Sequence, residues 1–326
     1  MDKNNRYTII PLAWPETLVS GVGEWYEKLF LWLGIIKTPI YKVGHAALLI
    51  RDQQNGTYNY LDFGRYETKK GYGRIRNAYS DPELRIAANQ NTTLADVLET
   101  LSQNEATHGD GKLLAIKISN INSIALERVL NKYSDNKVHP YSPHKFFALN
   151  CSRFVQDVVA HTIDNSFLRL FFYFLPVKYL YTGAYLRFLS VVLKQEVLVQ
   201  EASLEAHAGS DEFEYKIEAK MKDIGFQFLK GIGSSSWFKL RHQGDEVYRI
   251  ERKNDKAVTT FNSDFCLVDA HDFDVQKAFR FTYPCDAEVC SVIQAGRVFD
   301  FKRLEKNIQL YQSPKEMPKA RAVSIK

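Results

Sequence analysis

The sequence predicts an α+β protein in two parts, a mixed N-terminal domain over residues 1–200 and a β-rich domain over 210–310. Runs with period-two alternation at 7–12, 41–50 and 57–66 are interleaved with helical-period segments at 93–104, 123–133 and 146–163. A polar break at Gly209-Ser210-Asp211 then opens a stretch of short alternating runs and turns. The 326 residues also exceed the roughly 100–200 of one ordinary domain.

Residues 7–12 read as a strand closed by Pro11 and Pro15, and 16–36 as a helix with Trp25, Leu29, Trp32 and Leu33 at helical spacing. Between 41–50 and 57–66 the pair Asn55-Gly56 predicts a β-hairpin, because both residues tolerate the positive φ of a tight turn. Residues 64–81, rich in Gly, Arg, Lys and Tyr, read as a loop. Thr93-Leu-Ala-Asp96 has the spacing of a capping box and starts the helix at 93–104. A strand at 112–119, a helix at 123–133, a turn at 135–137 and a loop around Pro140 and Pro143 follow. In 146–163, Phe154, Val155, Val158 and Val159 keep a helical period, which puts Cys151 near that helix's first turn. After a hydrophobic helical extension at 166–194, strands are expected at 215–221, 226–229, 237–241, 247–253, 257–261, 265–269, 278–283 and 298–301. A short helix at 302–308 and a loose Pro/Lys-rich tail at 311–326 end the chain.

Apolar content of 45% and charged content of 25% are those of a globular protein and exclude disordered and fibrous classes. The net charge of +5 comes without a basic run or an RNA-binding signature, so no nucleic-acid partner is expected. Four cysteines are too few for a disulfide scaffold and point to a reducing compartment. The polar N-terminus lacks the apolar core of a secretory signal. Two hydrophobic stretches are interrupted, 18–36 by Glu24, Glu27 and Lys28 and 167–193 by Arg169, Pro176, Lys178 and Arg187, so neither is a transmembrane span. Cytoplasmic residence is the default expectation, with export by a dedicated secretion machine as the alternative.

The chemistry concentrates on Cys151. A cysteine nucleophile needs a base for its proton and a positive environment for its thiolate, and the start of a helix supplies the second. In Asn150-Cys-Ser-Arg-Phe-Val155 the unpaired N–H groups of the first turn would stabilise the sulfur's negative charge and could hold an oxyanion. The base is expected to be His45, a polar residue in the apolar run Val43-Gly-His-Ala-Ala-Leu-Leu-Ile50, where Gly44 permits close approach. On the partner strand Tyr58, Tyr60 and Asp62 share a face, so Asp62 is placed to accept from the imidazole and fix its tautomer. His139, His144 and His161 are nearer Cys151 in sequence and are the alternative bases, but nothing places them across a cleft. Taken singly, a helical Cys is usually a small buried hydrophobe and a strand His is usually structural. It is their joint occurrence with an orienting acid that points to catalysis.

These residues resemble the circularly permuted papain-like cysteine hydrolases of the NlpC superfamily, which include the lecithin–retinol acyltransferase-like proteins. In that family a Gly-His strand comes first, a polar orienting residue follows on the next strand, and an Asn-Cys-x-x-Phe-Val helix comes later. Here Asp62 follows His45 by 17 residues and Cys151 follows it by 106. The resemblance covers residues 7–165 and implies a permuted papain-like (NlpC-type) domain ahead of the mainly β second domain. An Asp in place of the acyltransferase branch's His, and Ser152-Arg153 in place of its Glu-His, depart from that branch.

Around this site, Tyr60, Arg65, Arg74, Arg76 and Asn150 are the expected substrate-binding residues, the arginines lying on a loop with five basic residues that could present an electropositive rim. The competing reading is a solvated loop with glycines serving its turns. Residues 167–193 suit either an interfacial helical pair touching a membrane surface or inter-domain packing. Cys285 and Cys290 have no second ligand pair, so they read as structural thiols and no metal or other cofactor is expected.

Two classes of function remain. One is a cysteine hydrolase acting on an amide or acyl bond, with a peptide or cell-wall peptide as substrate, or an acyl lipid if the resemblance extends to acyltransfer or phospholipase chemistry. The other is a non-catalytic binding protein on the same scaffold. Oligomeric state is not legible in the sequence.

Overall fold

The computed structural model describes residues 6–20, 32–33, 40–135, 138–142, 148–174, 182–201, 211–231, 234–268 and 272–304. In the first half the chain runs through β1 (Tyr7–Trp14), β2 (Leu18–Ser20), β3 (Ile40–Lys42), β4 (His45–Asp52), β5 (Thr57–Gly64) and β6 (Tyr72–Arg76). It continues through α1 (Leu94–Gln103), β7 (Leu113–Ala115), α2 (Ser123–Asp135), β8 (Val138–Pro140), α3 (Cys151–Thr162), α4 (Ser166–Phe174), α5 (Thr182–Leu193) and β9 (Leu198–Gln200). Seven of these strands form an antiparallel sheet in the order β8-β6-β5-β4-β1-β7-β9, while β2 and β3 pair separately.

The centre of that sheet is buried on both faces, which is why β1 and β4 read as nearly continuous apolar runs. One face carries Ile9, Ala46, Leu48, Ile50 and Phe63, packed with Phe154, Val155, Val158 and Val159 of α3 and Tyr185, Leu186 and Leu189 of α5. The other carries Ile10, Leu12, Trp14, Ala47, Leu49 and Tyr60, covered by Leu84 and by Val97, Leu98 and Leu101 of α1. Each such side chain contributes roughly 1.5–3 kcal/mol on burial. The register then fixes the site: Trp14 pairs with His45, Ala47 with Asp62, and Asp62 with Arg76.

The second half begins with α6 (Asp211–Asp223) and continues through β10 (Gln227–Lys230), β11 (Ser235–Gly244), β12 (Val247–Asn254), β13 (Thr259–Val268), β14 (Arg280–Cys285), β15 (Val289–Gln294) and β16 (Arg297–Arg303). These strands form one sheet in the order β10-β11-β12-β13-β16-β15-β14. The Gln227 side chain donates to Phe279 O and accepts from Phe281 N, tying the first strand to the last around a core of Phe238, Ile250, Phe265, Phe281 and Phe301.

The mainly β C-terminal half agrees with expectation; several elements do not. The expected helix over 16–36 begins instead as β2, and most of its remainder lies outside the described residues. The expected loop over 64–81 contains β6, and the expected loop at Pro140 is the edge strand β8. Residues 215–221 are helical within α6, because Ile217 and Met221 share a helical face packed with Phe226 and Trp237. The two strands expected at 257–261 and 265–269 are one, β13, and β15 was not anticipated. Lys302 and Arg303 belong to β16, while the rest of the expected short helix and the tail over 311–326 lie outside the described residues. Cys285 and Cys290, expected as free thiols, face each other across a hairpin and are joined by a disulfide bond.

Candidate active site

His45 opens β4 directly after Gly44, whose φ of +78° breaks the expected single strand over 41–50 into β3 and β4. The imidazole lies against the Trp14 indole, with ring centroids 5.9 Å apart. Its Nε2 sits 3.1 Å from Asp62 Oδ2. That leaves Nδ1 for Cys151, with which the ring is also hydrogen-bonded. The structure thus brings together the three residues singled out in the sequence, from two neighbouring strands and the first turn of α3.

Asp62 is wholly buried and fully partnered. Arg76 donates from Nε to Oδ1 at 3.0 Å and from Nη2 to Oδ2 at 2.6 Å, and the Tyr60 and Tyr66 hydroxyls donate to Oδ2 at 3.1 and 3.0 Å. Burial alone would raise this carboxyl's pKa, but the Arg76 charge and the hydrogen bond with His45 hold it well below the usual carboxylate range. Asp62 therefore stays ionised, and its negative charge faces the imidazole.

The consequence is a charge-separated pair. Burial disfavours a charge on His45, but hydrogen bonds with Asp62 and Cys151 outweigh it and raise the pKa to about 9. Burial likewise opposes ionisation of Cys151, yet the His45 hydrogen bond and charge, joined by hydrogen bonds from the backbone of Ala46 and Ser152, lower its pKa. The thiol is half-buried and sits at the first residue of α3, where the helix dipole adds to the same effect.

The expected substrate-binding residues have other duties. Arg74 and Arg76 are 3% and 2% exposed, so the expected electropositive rim does not form from them. Arg76 is spent on Asp62; Arg74 bonds Asp81 and Glu67 at 2.5–3.0 Å and the Tyr66 carbonyl at 3.2 Å. Such desolvated cations require acidic partners, and here they have them. The solvated-loop alternative fails for the same reason. Tyr60 is buried against Asp62, and the Asn150 side chain caps α3 by accepting from Arg153 N at 2.9 Å. Arg65 stays beside the thiol: its guanidinium lies 5.1 Å from the ring centroid of Tyr141, a phenol that burial and the charge of Cys151 raise to about 12.

Two contributors were not identified in the sequence. Tyr66 bonds Asp62, lies 3.5 Å from His45 Nε2 and stacks on His108, while Arg76 covers the Tyr66 ring at 3.5 Å. Burial and the Arg76 charge lower His108 to about 3, so it is a neutral wall. Neither had a local signal, since both act through pairings distant in sequence. Of the alternative bases, His139 packs by its edge on Phe63 and Tyr133, His161 bonds the Asp157 carbonyl, and His144 lies outside the described residues. Among the described residues no cluster of His, Cys, Asp or Glu is arranged to hold a metal ion.

The second domain reaches this machinery. Glu67, at an unfavourable φ of +31°, accepts from Ser234, Ser236 and Arg252 of the β domain at 2.8–3.1 Å as well as from Arg74. Arg252 also donates to Asp81 at 2.9 Å. Glu67 adjoins Tyr66, so the inter-domain cluster anchors the residue whose hydroxyl holds Asp62.

Residues 9–167, which include all three site residues, match the family of type VI secretion system effectors described as TseH-like. Residues 226–304 match the DUF6695 C-terminal domain. A crystal structure of the type VI secretion system effector TseH matches at 19% identity, covering 60% of this chain and 93% of its own, with a TM-score of 0.38. No curated protein sequence matches significantly.

Proposed function

We propose that the chain is a cysteine hydrolase with a permuted papain-like catalytic domain, acting on an amide bond in a peptide or cell-wall peptide and delivered by a type VI secretion system. The observation that carries this reading is the hydrogen-bonded run from Asp62 through His45 to Cys151, with the charges it favours. The match of residues 9–167 to the TseH-like effectors supports the delivery route. The Cys151 thiolate attacks the carbonyl carbon, and backbone N–H groups at the start of α3 receive the oxyanion. The His45 imidazolium gives its proton to the leaving amine as the C–N bond breaks. Water then attacks the thioester, His45 takes its proton, and the acid and the thiolate are released. Asp62 orients the ring throughout.

A second reading, acyl transfer or lipid hydrolysis by the same residues, draws on α4 and α5, where Phe167, Leu170 and Val191 are 75%, 58% and 77% exposed. No described helix is long and apolar enough to cross a membrane. The test is to label the full chain with iodoacetamide and to incubate it with peptidoglycan fragments and with phospholipid vesicles. Cys151 is expected to alkylate rapidly in the wild type and at least about 100-fold more slowly in His45→Ala, with new amine termini released from the fragments. Release of fatty acid from vesicles with no cleavage of peptide would establish the second reading. Equal slow labelling of both proteins would leave a non-catalytic scaffold.

A further inference from the structure

Beside His45 lies a cavity of about 450 Å³ lined by Pro15, Lys42, Val43, Thr182, Gly183, Ala184 and Arg187. It adjoins the site through the backbone. Lys42 and Val43 immediately precede Gly44-His45, and three extended residues span at most about 10 Å. A Cβ on Gly44 would collide with Thr182 Oγ1 and approach the Trp14 carbonyl, so only glycine lets the start of α5 sit against the strand that carries the histidine.

The chemistry of the lining has one sign. Lys42 and Arg187 are exposed cations, and no carboxylate lines the cavity. The nearby acid, Glu16, is directed toward Gly111 and interacts with Lys112. Thr182, the first residue of the twelve-residue α5, is 3% exposed, and its hydroxyl has no hydrogen-bond partner. Buried hydroxyls are normally satisfied, so this one marks a place for an acceptor. Gly183 and Ala184 belong to a helix's first turn, whose N–H groups lack intrahelical acceptors and carry the positive end of the dipole.

We infer that this cavity is a substrate subsite for a carboxylate located one to three residues from the scissile amide, bound by the Thr182 hydroxyl, the first turn of α5, Lys42 and Arg187. The inference rests on the amidase reading and narrows its substrates to acidic peptides. A side-chain or terminal carboxylate fits the donors, whereas its amide would set an NH₂ group against two cations.

The test uses tripeptidyl chloromethyl ketones with one Glu placed first, second or third before the ketone, and matched Gln controls. Inactivation rates are measured on the wild type, Lys42→Met/Arg187→Met, Thr182→Val and, as a remote charge control, Lys277→Met. For one Glu position the wild type is expected to react about fivefold or more faster than with the matched Gln, the size of a pair of solvent-accessible ion pairs. That preference should vanish in Lys42→Met/Arg187→Met, shrink in Thr182→Val and persist in Lys277→Met. Equal Glu and Gln rates at every position in the wild type, or a preference that survives loss of both cations, would overturn the subsite while rapid iodoacetamide labelling of Cys151 left the hydrolase reading standing. Failure of iodoacetamide to distinguish the wild type from His45→Ala would remove both.

Discussion

At the scale of single residues, Cys151 and His45 share one proton across a buried hydrogen bond, and the direction of both shifts has a kinetic consequence. The His45 hydrogen bond lowers the thiol against the opposing effect of burial, and Asp62 and Cys151 raise the imidazole to about 9 despite the same opposition. Between those two midpoints the pair is thiolate and imidazolium. Below the lower one the sulfur regains its proton, and above about 9 the ring loses the one it must give to the leaving group. The midpoints belong to the pair and not to either residue alone. Iodoacetamide labelling, which needs only thiolate, is therefore expected to rise with pH at a midpoint below the roughly 8.5 of a free cysteine. Amide cleavage measured as kcat/KM should trace a bell whose alkaline limb falls near 9. In His45→Ala the labelling midpoint should move up to the free-thiol value or beyond, since burial then acts unopposed. A labelling midpoint equal in the two proteins would show that the imidazole does not lower the thiol.

At the scale of elements, the helix that presents Cys151 depends on its cap. Asn150→Ala removes the acceptor for Arg153 N and is expected to cost about 1 kcal/mol of unfolding free energy in urea titrations. It should also raise the Cys151 labelling midpoint, because fraying the first turn misaligns the N–H groups that favour thiolate. An unchanged midpoint would confine Asn150 to stability. This cap, the hairpin turn before β5 and the capping box on α1, where Thr93 and Asp96 bond each other's backbone, were legible because their causes are local. So was the pairing of a strand His with a strand Asp, since a two-residue period puts Tyr58, Tyr60 and Asp62 on one face. β6 was hidden for the opposite reason. Its inward positions hold Arg74 and Arg76, which look like loop cations until their acids, Asp62, Glu67 and Asp81, arrive from other turns of the chain. In α6 the run Tyr215 to Met221 alternates like a strand, and only the tertiary partners Phe226 and Trp237 favour the helical period.

At the scale of the whole molecule, two ion-pair contacts join the domains, and they differ in a way that separates positioning from adhesion. Lys256 and Glu105 meet at 2.6 Å with both side chains half-exposed, whereas Arg252 bonds Glu67 and Asp81 with all three buried. Nothing in the order of residues announced this second contact, because the partners lie 171 and 185 positions apart. An exposed pair gains little over its hydrated parts, so Lys256→Met should leave the unfolding transition where it is. Arg252→Met strands two buried carboxylates and is expected to lower the unfolding free energy by about 3–5 kcal/mol. The more telling measurement is on the protein that remains folded. Glu67 holds its positive φ against four hydrogen bonds, two of them from Ser234 and Ser236 of the β domain, and the adjoining Tyr66 donates to Asp62. Loosening Glu67 should let Tyr66 drift, weaken the hold on Asp62 and the imidazole, and raise the Cys151 labelling midpoint as well as slow cleavage. The conservative Arg252→Lys, which keeps one charge but not the fork, should recover part of the stability and less of the reactivity. If Arg252→Met lost stability while Cys151 kept its wild-type labelling profile, the β domain would be a structural neighbour of the site and not one of its supports.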